Sequence, residues 1–208
     1  MGSDEDLLRA FGAGDERAYA RLYDRHRGPL HLYAARMLGD GEAARDLVQD
    51  VFLSLFERRA EASDVRSARA WLFTVARNRC LTRLRQRRNR SRLDEQAAGE
   101  APAAAPAADD DGREETLRVR RALAELPEEQ REILILREYE DLSYREIAAI
   151  AQTTEGAVKS RLFRARQALA DVGGCGERTD QPPECLVLAG EEAAHLVARA
   201  GYLAGAGR

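Results

Sequence analysis

The 208-residue chain lacks the features that mark secreted and membrane proteins. Three cysteines, an odd and low number, do not have the pattern of a disulfide framework. No apolar run approaches the roughly 20 residues that a membrane helix needs. The N-terminal residues MGSDEDLLRAFGAGDE contain no basic start followed by an apolar stretch, which a secretion signal requires. We therefore expect a cytoplasmic protein with no membrane insertion.

Aromatic residues are also few, at 6% of the chain, and Val, Ile and Thr are sparse beside Ala, Leu, Arg and Glu. The abundant residues are helix formers, whereas the sparse ones favour strands. The length suits one large domain or two small ones. We expect an all-α fold of two small helical domains, with cores built mainly from aliphatic side chains.

The motifs of common enzymes are absent as well. The sequence has no Gly-rich phosphate loop and no closely spaced metal ligands. Its three histidines, His26, His31 and His195, suggest no catalytic triad. We therefore do not expect an enzyme.

The net charge of -3 argues against nucleic-acid binding, but the charges are segregated along the chain. Residues 94 to 115 carry eight acids and one arginine. Just before them lie eight arginines with no acid among them: Arg77, Arg79, Arg83, Arg85, Arg87, Arg88, Arg90 and Arg92. Blocks of opposite sign indicate separate roles. The arginine block can neutralise DNA phosphates, although a solvated helix face has the same composition.

Helical spacing indicates a first domain over residues 5–92. Asp15 is placed to cap a long helix that stops at Gly39, and Gly28-Pro29 is expected to kink or break that helix. Ser67 is placed to cap the last helix of the domain.

Residues 93–115 differ in composition, being rich in Ala, Pro and acid. Such a segment buries too little apolar surface to fold, so we interpret it as a flexible linker. A second helical domain is predicted over residues 116–171. Residues 172–208 follow as a C-terminal extension.

The second domain has the pattern of a helix-turn-helix over residues 142–168. Ser143 and Glu146 have capping-box spacing, and Thr154 is placed to cap the second helix. Off the apolar stripe of that helix lie Lys159, Ser160, Phe163, Arg164 and Gln167. Basic, polar and aromatic side chains on one helix face suit the major groove of DNA. The alternative is a helical hairpin with a solvated basic face.

Three segments of the chain resemble the sigma-70 family, specifically its extracytoplasmic-function (ECF) group. They are DLVQDVFLSLF, RAWLFTVARNRCLTRLRQRR and ELPEEQREILILREYEDLSYREIAAIAQTTEGAVKSRLFRARQAL. The resemblance extends over about residues 5–170 and implies two domains, called region 2 and region 4. It implies a factor that binds the β and β′ subunits of core RNA polymerase, recognises the -35 and -10 promoter elements and promotes promoter melting.

The resemblance assigns three sets of site residues. The polymerase-binding residues are Asp46, Leu47, Gln49, Asp50 and Phe52. The -10 DNA-binding residues are Ser63, Asp64, Arg66, Trp71, Arg77, Asn78 and Arg85. The -35 DNA-binding residues are Arg137, Lys159, Ser160, Phe163 and Arg164.

Aromatic residues near the arginine block suggest a further DNA contact. Trp71 and Phe73 can stack on unpaired bases, although a tryptophan is more often part of a core. For the polymerase contact, reversing the charge of Asp50 is expected to abolish binding without unfolding the protein.

The sequence departs from the family pattern at three positions. Gln152 stands where a turn glycine is common, Thr153 where an aliphatic residue is common, and Thr82 where the family often has Asp. A non-glycine residue enters a left-handed turn only at an energetic cost. The departures leave the geometry of the turn open.

The linker and the extension have expected roles of their own. The resemblance routes the acidic linker through the RNA path of the polymerase, and it implies an anti-sigma factor or self-regulation by the tail. In the tail, Cys175, Cys185 and His195 are weak candidates for binding zinc or copper, or for a redox switch. The alternative is a tail whose cysteines have no role, and no other cofactor is expected.

One rival function accounts for part of the chain. A stand-alone helix-turn-helix regulator would bind duplex DNA without polymerase. It explains residues 115–170 but leaves the first domain without a role.

Overall fold

The computed structural model describes residues 2–97 and 121–172. The secondary structure of these residues is helical, and no strand occurs among them. The chain divides into two compact units, which confirms the prediction of an all-α fold with two small domains. The linker beyond Ala97 and the extension from residue 173, with Cys175, Cys185 and His195, lie outside the described residues.

The first unit contains four α-helices and a 3-10 helix in its described part. They are α1 (Asp4–Gly12), α2 (Glu16–Leu38), α3 (Gly41–Glu57), the 3-10 helix (Arg59–Asp64) and α4 (Ala68–Ala97). Side chains of Ser3, Asp15 and Asp40 accept hydrogen bonds from backbone amides at the starts of α1, α2 and α3. Gly39 ends α2 with a φ of 68°. The Ser67 hydroxyl accepts a hydrogen bond from the Ala70 amide, so the predicted caps of α2 and α4 are confirmed.

Gly28-Pro29 was predicted to kink or break the helix, and the structure contradicts the break. Helix α2 is continuous, with Pro29 inside it. Proline removes one N–H donor from the helix. The following turn, however, places Leu30 and Tyr33 in the core with no exposed surface. Burial of these two side chains offsets the lost hydrogen bond.

The core of the first unit holds more aromatic residues than the composition suggests. Phe11, Tyr33, Phe52 and Phe73 are all buried. The rings of Tyr33 and Phe73 meet nearly edge-on, with centroids 5.5 Å apart. Because Phe73 has no exposed surface, the prediction that it stacks on DNA bases is wrong.

Helix α4 extends beyond the predicted domain boundary. Residues 93–97, which the sequence places in the linker, continue the helix. Their letters, LDEQA, are mostly helix formers, and the nearest helix breaker is Gly99. A composition shift therefore marks the linker a few residues before the helix ends.

The second unit contains a helical segment at 121–125 and three further helices in its described part. These are α5 (Glu128–Glu138), α6 (Tyr144–Ala151) and α7 (Glu155–Val172). The capping box is confirmed: the Ser143 amide donates to Glu146 Oε2 at 2.9 Å, and the Glu146 amide to Ser143 Oγ at 3.3 Å. The Thr154 hydroxyl accepts from the Ala157 amide at 3.2 Å.

The turn between α6 and α7 contains a strained residue. Gln152 has a φ of 52°, in the left-handed region that favours glycine. The neighbouring Thr153 amide donates to the Ala148 carbonyl at 2.9 Å. The turn therefore has the shape that a glycine would normally provide, built with a glutamine.

The strain at Gln152 predicts that Gln152→Gly stabilises the chain. A left-handed conformation costs a non-glycine residue roughly 1–2 kcal/mol, which glycine avoids. Glycine also loses more conformational entropy on folding, which cancels about half of that benefit, so the free energy of unfolding should rise by about 0.5–1 kcal/mol. Denaturant unfolding of the full chain measures this gain. Ala149→Gly, at an exposed position within α6, is the control and should cost about 1 kcal/mol. Equal destabilisation by both variants would contradict a left-handed Gln152.

Candidate functional site

The side chains of α7 separate into a buried stripe and an exposed face. Val158, Leu162 and Ala165 are buried in the second unit. The exposed face carries Lys159, Ser160, Phe163, Arg164 and Gln167. Phe163 leaves 47% of its surface exposed, although burial of such a side chain is strongly favourable. Four of the five predicted -35 residues therefore share one surface.

Two other arginines of α7 are half-buried and bind acidic side chains of the same unit. Arg166 donates two hydrogen bonds to Glu138 Oε1, at 2.6 and 3.2 Å. Arg161 lies 2.5 Å from the carboxylate of Glu129. Both acids belong to α5, so these charge-assisted contacts fix α7 against α5. The charged residues of α7 thus fall into a structural group and an exposed group.

The fifth predicted -35 residue, Arg137, is half-buried on α5. Its guanidinium donates to the Leu142 carbonyl at 2.9 Å and lies 3.4 Å from the Asp141 carboxylate. The same guanidinium is 5.5 Å from the centre of the Tyr144 ring, and the Lys159 ammonium is 5.7 Å from that ring. Sequence reasoning missed Tyr144, whose only signal is its place beside the capping serine.

The predicted polymerase-binding residues of α3 are not all on the surface. Asp46 and Gln49 are exposed, and Asp50 is half-buried. Leu47 has no exposed surface and belongs to the core, so its prediction as a contact residue is wrong. The physical reason is helical spacing, which places Leu47 about 100° around the axis from Asp46. Phe52 is 1% exposed and reaches the surface only at the floor of a groove.

That groove is lined mainly by aromatic and aliphatic side chains. It encloses about 410 Å³ and is lined by Tyr19, Tyr23, Gln49, Asp50, Phe52, Leu53 and Phe56. Leu53 and Phe56 are exposed over 54% and 46% of their surfaces. Exposed apolar side chains beside a groove are typical of a protein-binding surface. Sequence reasoning missed the two tyrosines, which α2 contributes.

The Asp50 carboxylate is engaged by α4. It lies 2.8 Å from an Arg83 nitrogen and 3.4 Å from an Arg79 nitrogen. Arg83 also donates to the Ala43 carbonyl at 2.5 Å, and Arg79 to the Ser54 hydroxyl at 2.6 Å. Asp50 therefore ties α3 to α4. Asp50→Arg would bring three cations together, so we expect this reversal to weaken the attachment of α4 as well as any polymerase contact.

A third arginine of the run makes a similar contact one turn further along α4. Arg87 donates to the Leu38 carbonyl at 2.9 Å and to the Asp40 carboxylate at 2.8 Å. The Ala43 amide, and then Arg87, lower the pKa of the Asp40 carboxyl below its ordinary value, because both stabilise its charged form. The arginine run is thus not a single DNA-binding surface.

The remaining predicted contacts on α4 lie on another face of the helix. Arg77 and Arg85 each lie two residues from an arginine that binds α3. A separation of two residues corresponds to about 200° around the helix axis. Arg85 and Asn78 are exposed, and Arg77 is half-buried. The Asn78 side-chain oxygen accepts a 3.5 Å hydrogen bond from Arg77. Arg85 therefore faces away from the arginines that hold the helix against α3.

The loop before α4 carries the other predicted -10 residues. Ser63 and Asp64 lie on the 3-10 helix. Trp71 is half-buried, and Arg66 in the preceding loop is exposed. Trp71 is therefore placed between core and surface, and part of its indole remains accessible for stacking.

No group of three His, Cys, Asp or Glu side chains is arranged to hold a metal ion within residues 2–97 and 121–172. In the same residues, no helix has the length and apolar character to span a membrane. Cys80, the cysteine in the described part of the chain, is buried.

Comparison with known families identifies both units. The Sigma-70 region 2 family model matches residues 22–90, and the Sigma-70, region 4 model matches residues 116–169. The first match contains α3 and most of α4, and the second contains α5, α6 and the exposed face of α7.

Individual relatives agree with this. The chain is 35% identical to ECF RNA polymerase sigma factor SigM of Mycobacterium tuberculosis H37Rv, covering 83% of this chain and 85% of SigM. It is 36% identical to SigL of the Erdman strain, covering 78% and 94%. Among solved structures, CnrH in complex with the cytosolic domain of CnrY has a TM-score of 0.62 at 27% identity, covering 84% and 99%.

A second solved structure, the sigma factor RpoE with the anti-sigma factor NepR from Bartonella quintana, has a TM-score of 0.61 at 28% identity, covering 76% and 98%. Both conserved sigma regions are present in this chain in the expected order. The chain therefore belongs to the sigma-70 family and is an RNA polymerase sigma factor of its ECF group.

Proposed function

We propose that this sigma factor contacts promoter DNA and core polymerase through three separate surfaces. The exposed face of α7 reads the -35 element, the loop and outer face of α4 bind the -10 element, and the exposed side of α3 binds polymerase. The division of α7 into a buried stripe and an exposed face carries the proposal. Arg161 and Arg166 are already paired, so the basic residues left to read DNA are few and specific.

On α7, each exposed side chain suits a different feature of the major groove. Arg164 and Lys159 can donate to guanine edges or phosphates, and Phe163 can contact a thymine methyl group. Arg137 is proposed to bind the DNA backbone, since its guanidinium is fixed by Leu142 and Asp141. A fixed donor on α5 would set the angle at which α7 enters the groove.

At the -10 element, stacking and charge are proposed to act together. An accessible part of the Trp71 indole can stack on an unpaired base, which offsets part of the cost of opening the duplex. Arg66, Arg77 and Arg85, with Asn78, then contact the separated strand or its phosphates. Ser63 and Asp64 belong to the same proposed surface.

The polymerase surface is proposed to combine Asp46 and Gln49 with the neighbouring groove. Exposed Leu53 and Phe56 supply apolar area, and Asp46 supplies charge complementarity. Asp50 contributes to this surface through its hold on α4. The contacts are proposed to involve the β and β′ subunits.

The whole chain is proposed to follow the same plan. Residues 5–92 and 116–171 are the two DNA- and polymerase-binding domains, residues 93–115 link them along the RNA path, and residues 172–208 form a regulatory extension. CnrH and RpoE were solved with CnrY and NepR, so we infer an anti-sigma partner for this chain. It acts in the cytoplasm as an initiation factor and not as an enzyme, because the polymerase supplies the chemistry.

The proposed -35 face predicts separate losses for Lys159→Ala and Arg164→Ala. Loss of a base contact costs about 1–3 kcal/mol, or roughly 5- to 150-fold in affinity. A target promoter is first identified from the transcripts that increase when this sigma factor is overexpressed. The affinity of reconstituted holoenzyme for that promoter is then measured. Arg121→Ala, which removes an exposed arginine of the segment at 121–125, is the control. Normal promoter binding by both α7 variants would overturn the assignment.

The polymerase surface predicts that Asp46→Arg releases the factor from core polymerase. Juxtaposing like charges at an interface costs several kcal/mol, so we expect at least about tenfold less co-purification with core. Asp24→Arg reverses an exposed carboxylate on α2, 71% of whose side chain is accessible, and serves as the control. The thermal midpoint of both variants should match the wild type. If Asp46→Arg co-purifies as Asp24→Arg does, polymerase binds elsewhere.

A further inference from the structure

We propose that Tyr144 is a positioning residue for promoter recognition, and that its ring, which lies beside the anchored Arg137 of α5, holds Lys159 of α7 in place before DNA arrives. The inference rests on the proposed -35 function of α7. The ring is the point where cations from two helices meet: Lys159 Nζ is 5.7 Å and the Arg137 guanidinium carbon 5.5 Å from its centre. Both distances fall within the roughly 6 Å range of cation–π attraction.

The Tyr144 ring is itself held in place by local structure. Tyr144 is the first residue of α6, directly after the capping serine whose hydroxyl and amide both bond to Glu146 Oε2, at 2.6 and 2.9 Å. The residue is half-buried. A capped helix start and partial burial restrict the backbone and side chain together, so the ring offers a fixed platform.

The two cations differ in how much they need that platform. Arg137 is already anchored by the Leu142 carbonyl and the Asp141 carboxylate. The Lys159 side chain is exposed, and its ammonium contacts the Tyr144 ring. A free lysine loses much rotamer freedom on binding. The ring removes part of that freedom beforehand, which lowers the entropic cost of docking on DNA.

The position of Lys159 is distinctive in this chain. Lys159 is the only lysine of the sequence, in which every other permanently charged basic side chain is an arginine. An ammonium is a compact point charge on a flexible stem. Such a group gains more from an external platform than a planar guanidinium with several fixed donors does.

The single lysine allows a direct test of the contact in the free, full-length protein. Reductive methylation with ¹³C-labelled formaldehyde keeps the charge and labels only Lys159 and the N-terminal amine. We expect the Lys159 methyl signal to be displaced by the Tyr144 ring current. The displacement should persist in Tyr144→Phe and vanish in Tyr144→Leu. An undisplaced signal in the wild type would overturn the contact.

DNA binding then tests the consequence of the contact. The probe is a duplex enriched from a random library by wild-type holoenzyme. Tyr144→Phe should bind as the wild type does, because it keeps the ring. Tyr144→Leu should bind about two- to fivefold more weakly, as expected for loss of an exposed cation–π contact. Equal losses in Phe and Leu variants would make the hydroxyl a DNA contact and overturn the proposal.

A double-mutant comparison separates positioning from ordinary packing. If Tyr144 acts through Lys159, Tyr144→Leu should weaken binding in the wild type and add little in a Lys159→Ala background. Additive losses would overturn the proposal. Thermal midpoints within the wild-type range confirm folding, and Tyr144→Met replaces the leucine variant if that one unfolds.

Failure of the inference and failure of the proposed function give different results. If Lys159→Ala and Arg164→Ala weaken binding but Tyr144→Leu does not, the α7 face is correct and the positioning role is wrong. If Lys159→Ala binds DNA normally, the DNA role of Lys159 and the inference fail together, even where the methyl signal is displaced.

Discussion

Three arginines at intervals of four residues tie the outer part of α4 to the rest of the first unit. These three arginines are Arg79, Arg83 and Arg87. From one side of the helix they reach carboxylates, a hydroxyl and backbone carbonyls of α3, of the turn before it and of the end of α2. Each guanidinium uses more than one donor, which gives the contact direction as well as attraction. The outward face of α4 is consequently fixed in orientation, and the proposed -10 contacts depend on it.

The second unit divides its charges in the same way. Arg161 and Arg166 bind acids of α5, and the exposed face of α7 keeps Lys159 and Arg164. In both units, then, some basic residues hold a helix while their neighbours face outward. A net charge of -3 for the whole chain is therefore compatible with DNA binding, because DNA responds to the charge of the surface that it contacts.

The sequence predicted well the features that depend on neighbouring residues. The caps at Asp15, Ser143 and Thr154 follow from spacing over two to four residues, and all three are observed. The two sigma regions were predictable because long ordered motifs carry them.

Features that depend on distant partners were not predictable in this way. Nothing in the arginine run separates Arg83 from Arg85, since the difference lies in Asp50, 33 residues away. Pro29 stays within its helix because tertiary packing supports the following turn. The contacts of Tyr144 with Arg137 of α5 and Lys159 of α7 likewise join residues that are distant in sequence.

The division of arginines on α4 is tested most directly by comparing Arg83→Ala with Arg85→Ala. Two quantities are measured for each variant. One is the free energy of unfolding, and the other is promoter opening, which is detected by the permanganate reactivity of unpaired thymines. Arg83→Ala is expected to lower the free energy of unfolding by about 1–2 kcal/mol, since a charge-assisted contact is lost. Arg85→Ala should leave stability unchanged and reduce promoter opening. A stable Arg83→Ala protein, or normal opening with Arg85→Ala, would contradict this division.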